Sequence, residues 1–404
     1  MEPGQPVHGT GPKGGGAIRR RRRGRPEGDL PRHRSGEQPV ASIAAGTRPL
    51  RIALVTSSRF WRGSSNVFAV LARGLADRGH TTTAVVAYDP LVGGFQARSL
   101  RVRKLPVGHT TFKGARALRQ ALGQRELAAD VVLVDRARDI RLAAFASLGT
   151  PLVVVYCIST PRPPRDLLTR LAFRRVALTV FLTQQLAQRA LAEAPFMRRA
   201  GHRVIPNGVD CDLFRPDEAA GRAFRRRHAL GDGPVLLGVG ALEIEKRWDL
   251  LLDGVARLAR PAPPLVMCGG GALEGSLRAQ AERVGLDVRF VGQVDTETLV
   301  AAYNAATCVV HTRPDEVFAL ALIEALACGR PVVASGGGGT PELVGDAGVL
   351  APPGDPGAFA RLLEDLLGDA ERRAALAVAA RRRALERYSV ERMVCDYAAL
   401  LEAL

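Results

Sequence analysis

The sequence predicts an α/β protein of two doubly wound, parallel-sheet domains, and three observations carry that prediction. Apolar, β-branched segments without polar alternation, such as LRIALVTSS (50–58) and PLVMCGGG (264–271), alternate with helix-like stretches along the chain. The alternation is interrupted near 200–216, where Pro206, Asn207 and Gly208 punctuate it, and then begins again. At 404 residues, the chain also exceeds the size at which one core keeps growing. Strands alternating with helices imply parallel pairing and right-handed crossovers. Two such sheets facing each other place their strand ends across a cleft, where ligands bind.

In the first half, the strand 50–58 leads through a turn at Gly63 to a helix over 66–79, with Ser64 or Ser65 as N-cap and Gly79 as its stop. Strands follow at TTTAVVAY (81–88), DVVLVD (130–135), PLVVVYC (151–157) and ALTVFLT (177–183). Helices are expected at RLAAFASLG (141–149), near 165–175, and at QQLAQRALAEA (184–194). In the second half, strands are expected at 234–240, 264–271, 288–294, 308–312, 330–335 and 347–353. Helices are expected over 247–259, 275–285, 295–306, 321–329 and 356–368. A last helix over 381–404 is long enough to pack back across both domains. The expected organisation is a leader (1–48), an N-terminal domain (49–203), a C-terminal domain (204–385) and a closing helix (386–404) on the N-terminal domain.

Composition narrows the function classes. With 47% apolar residues and mean hydropathy near zero, the chain reads as soluble and globular. It has no run of eighteen uncharged apolar residues and no apolar signal segment, so neither spanning nor secretion is expected. Cys157, Cys211, Cys268, Cys308, Cys328 and Cys395 form no CxxC pair and read as core thiols of a reducing cytoplasm. Seven histidines lack ligand spacing, so no metal site is expected; His311, at a strand end, reads as packed. The formal charge is +17, and residues 1–48 carry ten Lys/Arg against four acids. This leader has almost no core-forming residues and should be disordered. It is either an extension without function or an arginine tract for nucleic acid or an anionic membrane, and charge alone suggests the nucleic-acid reading. It offers no folded module for base readout, so no specific nucleic acid is expected as partner.

The chemistry-bearing motifs lie mainly in the second half. The chain has no Walker A sequence, and its first turn is not G-x-G-x-x-G, which argues against a dehydrogenase. Glycines cluster after strands at Gly238 and Gly240, Gly269 to Gly271, and Gly336 to Gly339. Such clusters are either tight turns or places where backbone approaches a phosphate. In DEVFALALIEALACGRPVVA (315–334), Glu316 and Glu324 stand eight positions apart in an apolar run. On one continuous helix they need share no site and are two solvated residues. If instead a loop runs to Phe318 and a helix starts near Ala319, both carboxylates face a ligand at the helix N-terminus.

Residues 49–404, and most specifically 204–342, resemble the retaining, GT-B-fold glycosyltransferases of family four. The resemblance rests on VIPNGVDCDLF at the domain junction, GALEIEK and CGGGALEG at strand ends, and FVGQVDTETL at the base pocket. It also rests on the paired glutamates of EVFALALIE and on GGTPELV. It implies transfer of a sugar from a nucleotide-diphosphate donor to a hydroxyl acceptor, with no cofactor and no metal. Lys246 is then the contact to the diphosphate, and Glu316 and Glu324 hold hydroxyls of the donor sugar and the ribose. Phe318, Ala319 and Leu320 offer N–H groups at the helix start. Gly240, Gly269, Gly271, Val294 and Arg247 complete the donor side; Gly63, Ser64 and Ser159 lie on the acceptor side.

The chain also departs from the family's pattern. Ala241 stands where an Arg usually precedes the Lys, Arg247 replaces the Gly after it, and Ala319 replaces the Gly after Phe318. The His-containing strand end is Tyr156-Cys157-Ile158-Ser159 here. These departures leave open a second reading, a catalytically degenerate GT-B protein that binds a nucleotide sugar or a partner. In the N-terminal half, PRDLLTRLAFRR (164–175) is a basic amphipathic segment. It suits either an ordinary surface helix or attachment to an anionic membrane, giving a cytoplasmic protein with peripheral sites at the inner membrane face.

Overall fold

The computed structural model describes residues 48–404, apart from Arg62, Arg125, Glu126 and Arg260. The expected disorder of the leader concerns residues up to 47 and lies outside the described residues.

The first half begins β1 (Arg51–Thr56), α1 (Gly63–Asp77), β2 (Thr81–Val86), α2 (Asp89–Gln96), β3 (Arg101–Lys104) and α3 (Phe112–Gly123). It continues β4 (Val131–Val134), α4 (Ala137–Ala146), β5 (Val153–Ile158), α5 (Leu167–Ala172), β6 (Val176–Phe181), α6 (Gln184–Glu193) and β7 (Gly201–Val204). The seven strands are parallel, in the order β3-β2-β1-β4-β5-β6-β7.

The second half runs α7 (Glu218–Arg227), β8 (Leu236–Val239), α8 (Trp248–Val255), β9 (Leu265–Cys268), α9 (Glu274–Arg283), β10 (Val288–Gly292) and α10 (Thr296–Ala305). Then come β11 (Cys308–His311), α11 (Leu320–Ala327), β12 (Val332–Ser335), α12 (Thr340–Val344), β13 (Gly348–Ala351) and α13 (Pro356–Gly368). Its six parallel strands are ordered β10-β9-β8-β11-β12-β13. The order reverses between β1 and β4 in the first sheet and between β8 and β11 in the second, which fixes where each can bind a ligand.

The unalternating strands are explained by burial on both faces. In β4, Val132 and Val134 enter one apolar cluster while Val131 and Leu133 enter another. In the second sheet, Val309 and Val332 share the first of these clusters, and Val310 and Val333 enter a third. One contiguous cluster therefore takes residues from both sheets, with Val209 and Phe214 of the connecting segment between them.

Several elements escaped the apolar pattern. β3 is an edge strand of alternating Arg, Val and Lys, largely exposed, and so carries no apolar run. α7 buries only Gly221 and Phe224 on an otherwise arginine-rich surface. α1 already starts at Gly63, so neither Ser64 nor Ser65 stands ahead of it as an N-cap.

The expected single last helix is two, α14 (Ala370–Arg387) and α15 (Val390–Glu402). The break has a physical cause. Val209 N–H donates to Tyr388 O at 2.7 Å and Val390 N–H to Val209 O at 3.1 Å, so the domain connection pairs with the chain at that point. Ser389 Oγ then caps α15 by accepting from Arg392 N–H at 3.2 Å. Beyond the break, Met393, Val394, Tyr397 and Leu401 lie in the cluster of Phe68, Leu71 and Leu75. Among the described residues no helix is long and apolar enough to cross a membrane.

Met393 is fully buried and its Sδ accepts from Gly208 N–H at 3.1 Å, so it joins α15 to the connection itself. Met393→Ala is expected to destabilise the chain by about 2–5 kcal/mol. The check is the shift of the urea unfolding midpoint.

Candidate active site

The loops that leave β8 and β11, the two strands at the reversal of the second sheet, meet at their carboxyl ends. The first carries Gly240 and Ala241 into a short 3-10 turn, Ile244–Lys246. The second carries Thr312 to Ala319 into α11, whose N-cap position is Ala319. Glu316 therefore sits on a loop and Glu324 one turn into a helix, the second of the two arrangements the sequence allowed. Thr312 Oγ ties the loops together, donating to Arg247 O at 2.9 Å.

Glu316 is 6% exposed, and burial of that degree demands a partner. Lys246 Nζ supplies one, 2.9 Å from Glu316 Oε2. His311 Nε2 stands 3.4 Å from the same oxygen, and Arg313 Nη1 3.9 Å from Oε1. Burial pushes the Glu316 carboxyl up, but His311 and the Lys246 ammonium outweigh it and hold it far below the usual range. Burial drives His311 the other way, toward the neutral imidazole.

Glu324 has a different environment. Its Oε2 accepts from Tyr303 Oη at 2.8 Å, and burial raises its pKa against that hydrogen bond. Phe318 meets Tyr388 edge-on at 6.2 Å, and Leu320 opens α11. Val294 is half-buried after β10, next to Asp295, which caps α10.

The glycines serve close backbone packing. Gly240 N–H donates to Cys268 O and Leu242 N–H to Gly270 O, both at 3.0 Å, so the turns around Gly240 and Gly269 to Gly271 lie back to back. A Cβ on Gly269 would stand 1.9 Å from Gly240 O. Gly338, at φ +57°, covers the Glu316 backbone; a Cβ there would stand 2.1 Å from Glu316 O. The next residue, Gly339, donates its N–H to that carbonyl at 2.6 Å.

Arg247 turns away from this cluster. It adopts a left-handed backbone at φ 53° and pairs with Asp249 at 2.9 Å. The guanidinium that reaches Glu316 is that of Arg313, which sequence reasoning missed because nothing in TRPDE distinguishes it from a surface arginine. Tyr303 was missed too, hidden in an ordinary helical pattern.

On the other domain, Gly63 opens α1 against α11: a Cβ on it would stand 2.9 Å from Leu320 Cδ1. Ser64 and Ser159 line one pocket at the carboxyl edge of the first sheet, together with Asp135, a residue not singled out from sequence. A second bridge joins the domains where Glu342 accepts from Gln184 N–H at 2.8 Å, at the start of α6. Among the described residues, no three His, Cys, Asp or Glu side chains gather as metal ligands would.

With the geometry in place, comparison with known proteins is informative. The family described as Glycosyl transferases group 1 matches residues 222–383, and that described as Glycosyl transferase 4-like domain matches 62–208. A GDP-mannose-dependent alpha-(1-6)-phosphatidylinositol monomannoside mannosyltransferase of Mycolicibacterium smegmatis is 34% identical over 54% of this chain and 61% of its own. A D-inositol 3-phosphate glycosyltransferase of Jonesia denitrificans is 34% identical over 49% of this chain and 50% of its own. The chain thus spans about half the length of the relatives it matches in sequence. Among solved structures, Anabaena HepE in complex with UDP superposes with a TM-score of 0.77 at 22% identity, over 88% of this chain and 100% of that one. A glycosyltransferase from Rickettsia africae gives 0.78 at 14% identity, over 88% and 98%. Likeness at those identities speaks for the fold.

The ion pair makes stability depend on pH. Because Glu316 titrates below its ordinary value of 4.5, the pair stabilises the fold above that pH and is lost as pH falls through the folded value. Lys246→Met leaves the carboxylate with His311 and Arg313 alone. It is expected to cost about 1–3 kcal/mol at neutral pH, less than a fully stripped buried pair. Urea midpoints at pH 7 check this, and the wild type should keep most of the pair's contribution at pH 4, because its Glu316 stays ionised there.

Proposed function

We propose, for a chain that belongs to the Glycosyl transferases group 1 family and has the GT-B fold, that it transfers a sugar from a nucleotide-diphosphate donor to a hydroxyl acceptor with retention of anomeric configuration. The observation that carries this reading is the Lys246–Glu316 pair at 2.9 Å, at the reversal point of the second sheet and beside the start of α11. A degenerate protein would have no need to keep a buried carboxylate and its cation at that place.

The chemistry follows from the residues. The Lys246 ammonium and the α11 N–H groups meet the diphosphate as its charge grows, without a metal ion. Arg313 takes the place of a second phosphate cation that Ala241 does not provide. Glu316 is freed from Lys246 as the phosphates arrive and accepts from donor-sugar hydroxyls, while Glu324, held by Tyr303, faces the ribose. The bond from sugar C1 to the phosphate oxygen breaks through an oxocarbenium-like state. The acceptor oxygen bonds C1 on the same face, and its proton passes to the leaving phosphate. The donor class is supported by a relative named for GDP-mannose and by HepE solved with UDP and UDP-glucose.

The finer reading of partners adds an anionic membrane surface, at the cytoplasmic face. Phe112, Leu148, Leu167, Leu168 and Leu171 are exposed around a groove of about 420 Å³ between α3, α4 and α5. Lys113, Arg116, Arg170 and Arg174 stand exposed on the same helices and their continuation. Apolar side chains with a cationic fringe fit a bilayer of anionic lipid.

Glu316→Gln should lower kcat by about 10²–10³-fold while the protein stays folded. Turnover with UDP-glucose or GDP-mannose over a panel of hydroxyl acceptors measures this, and the anomeric proton coupling of the product reads the stereochemistry. Wild-type turnover in the variant, or an inverted product, counts against the reading. For the surface, phosphatidylglycerol vesicles should float the wild type at low salt and leave Leu168→Asp/Leu171→Asp behind. Failure of the wild type to float removes the membrane from the scheme.

A further inference from the structure

Among the described residues, three side chains face the Glu316 carboxylate, and they differ in their freedom to leave it. Lys246 sits on a 3-10 turn with its side chain 21% exposed. Arg313 sits on the loop with its side chain 17% exposed, and it is already paired with Asp315 at 3.1 Å. His311 is the last residue of β11, which lies between β8 and β12, and only 3% of its side chain is exposed. A four-carbon stem near solvent can carry an ammonium to an arriving anion, whereas a ring packed at the end of a central strand stays where it is. Glu316 therefore has two partners that a ligand can draw off and one that it cannot.

His311 is also incomplete. Its Nε2 stands 3.4 Å from Glu316 Oε2, yet it has no hydrogen-bond partner among the described residues. The Lys246 ammonium donates to that oxygen at 2.9 Å, and Glu316 Oε1 accepts from Val317 N–H at 3.2 Å. Burial, with Lys246 and Arg313, keeps the imidazole neutral against the pull of the carboxylate. The tautomer assigned is the one with Nε2–H, because a ring lone pair turned to Oε2 would repel it. A shift of about 0.5 Å brings this nitrogen within the usual N–H···O distance of about 2.9 Å. A buried donor left so close to an acceptor, and unpaired, needs a state in which it is used.

We propose that His311 is a positioning residue of the donor site: once Lys246 turns to the donor diphosphate, His311 Nε2–H hydrogen-bonds Glu316 Oε2 and fixes the carboxylate for the sugar hydroxyls. What Glu316 does next rests on the transfer reading above; the handover from Lys246 to His311 needs only a bound diphosphate. A neutral donor suits the task. It orients the carboxylate and leaves its negative charge facing the oxocarbenium-like sugar, where another fixed cation would cancel it.

The test uses the full chain carrying isotope-labelled histidine, with UDP-glucose and GDP-mannose added in turn. The Nε2–H proton of His311, assigned by its loss in His311→Leu, is expected to move downfield in NMR when either donor binds, the mark of an N–H that has gained a carboxylate. In turnover, His311→Leu should lower kcat about tenfold or more with KM within about threefold, and His311→Gln, which keeps an N–H, should return to within about threefold of wild type. Urea midpoints of the two variants separate this from packing, since a merely structural histidine makes kcat follow stability. A His311 proton unmoved by saturating donor overturns the proposal, as does a His311→Gln no better than His311→Leu at equal stability. Binding of neither donor removes the handover and the transfer reading together. A proton that moves without transfer to any acceptor of the panel sinks the transfer reading and leaves the handover standing.

Discussion

A carboxylate that is 6% exposed in an apolar loop sets the terms for the rest of the second domain. Glu316 is tolerable there only because cations are brought to it. The strand order brings the loop of Lys246 beside the loop of Glu316, and Thr312 holds them together. The glycines after β12 exist for the same reason, letting backbone close over the Glu316 carbonyl without side chains. Sheet topology, the position of α11 and the glycine-rich loop thus serve one buried charge.

Much of this was legible in the sequence, for identifiable reasons. Strands buried on both faces announce themselves as apolar runs, and the strand 308–312 followed by a polar break located Glu316 on a loop and Glu324 on a helix. Edge elements were not legible. β3, with exposed Arg and Lys, has no apolar signature, and α7 is nearly all arginine on its surface. The break at Tyr388–Ser389 was invisible because it is dictated by Val209, far away in sequence, whose backbone pairs there. The site followed the same division. Glu316 and Glu324 carry a recognisable spacing and Lys246 ends a recognisable motif, whereas Arg313 and Tyr303 owe their contacts with the two glutamates to three-dimensional neighbours.

The two domains gather different charges at their reversal points. Around Glu316 the second domain gathers Lys246 and Arg313. Around Asp135 the first domain keeps two buried acids, Asp135 and Asp139, with Arg136 and Arg138 bonded to the serines beside them.

The bridge from Glu342 to α6 has a mechanical meaning. Glu342 belongs to the glycine-rich segment that covers the Glu316 loop, and its carboxylate accepts from Gln184 N–H, and at longer range from Gln185 N–H, at the positive end of a helix on the other domain. Parting the two halves therefore cannot be a free swing. Parting them would break these hydrogen bonds, although Thr183 would still cap α6 through Leu186 N–H, so the contact acts as a detent at this position. Because that detent and the lining around Glu316 share one short stretch of chain, whatever shifts the lining is felt at the latch.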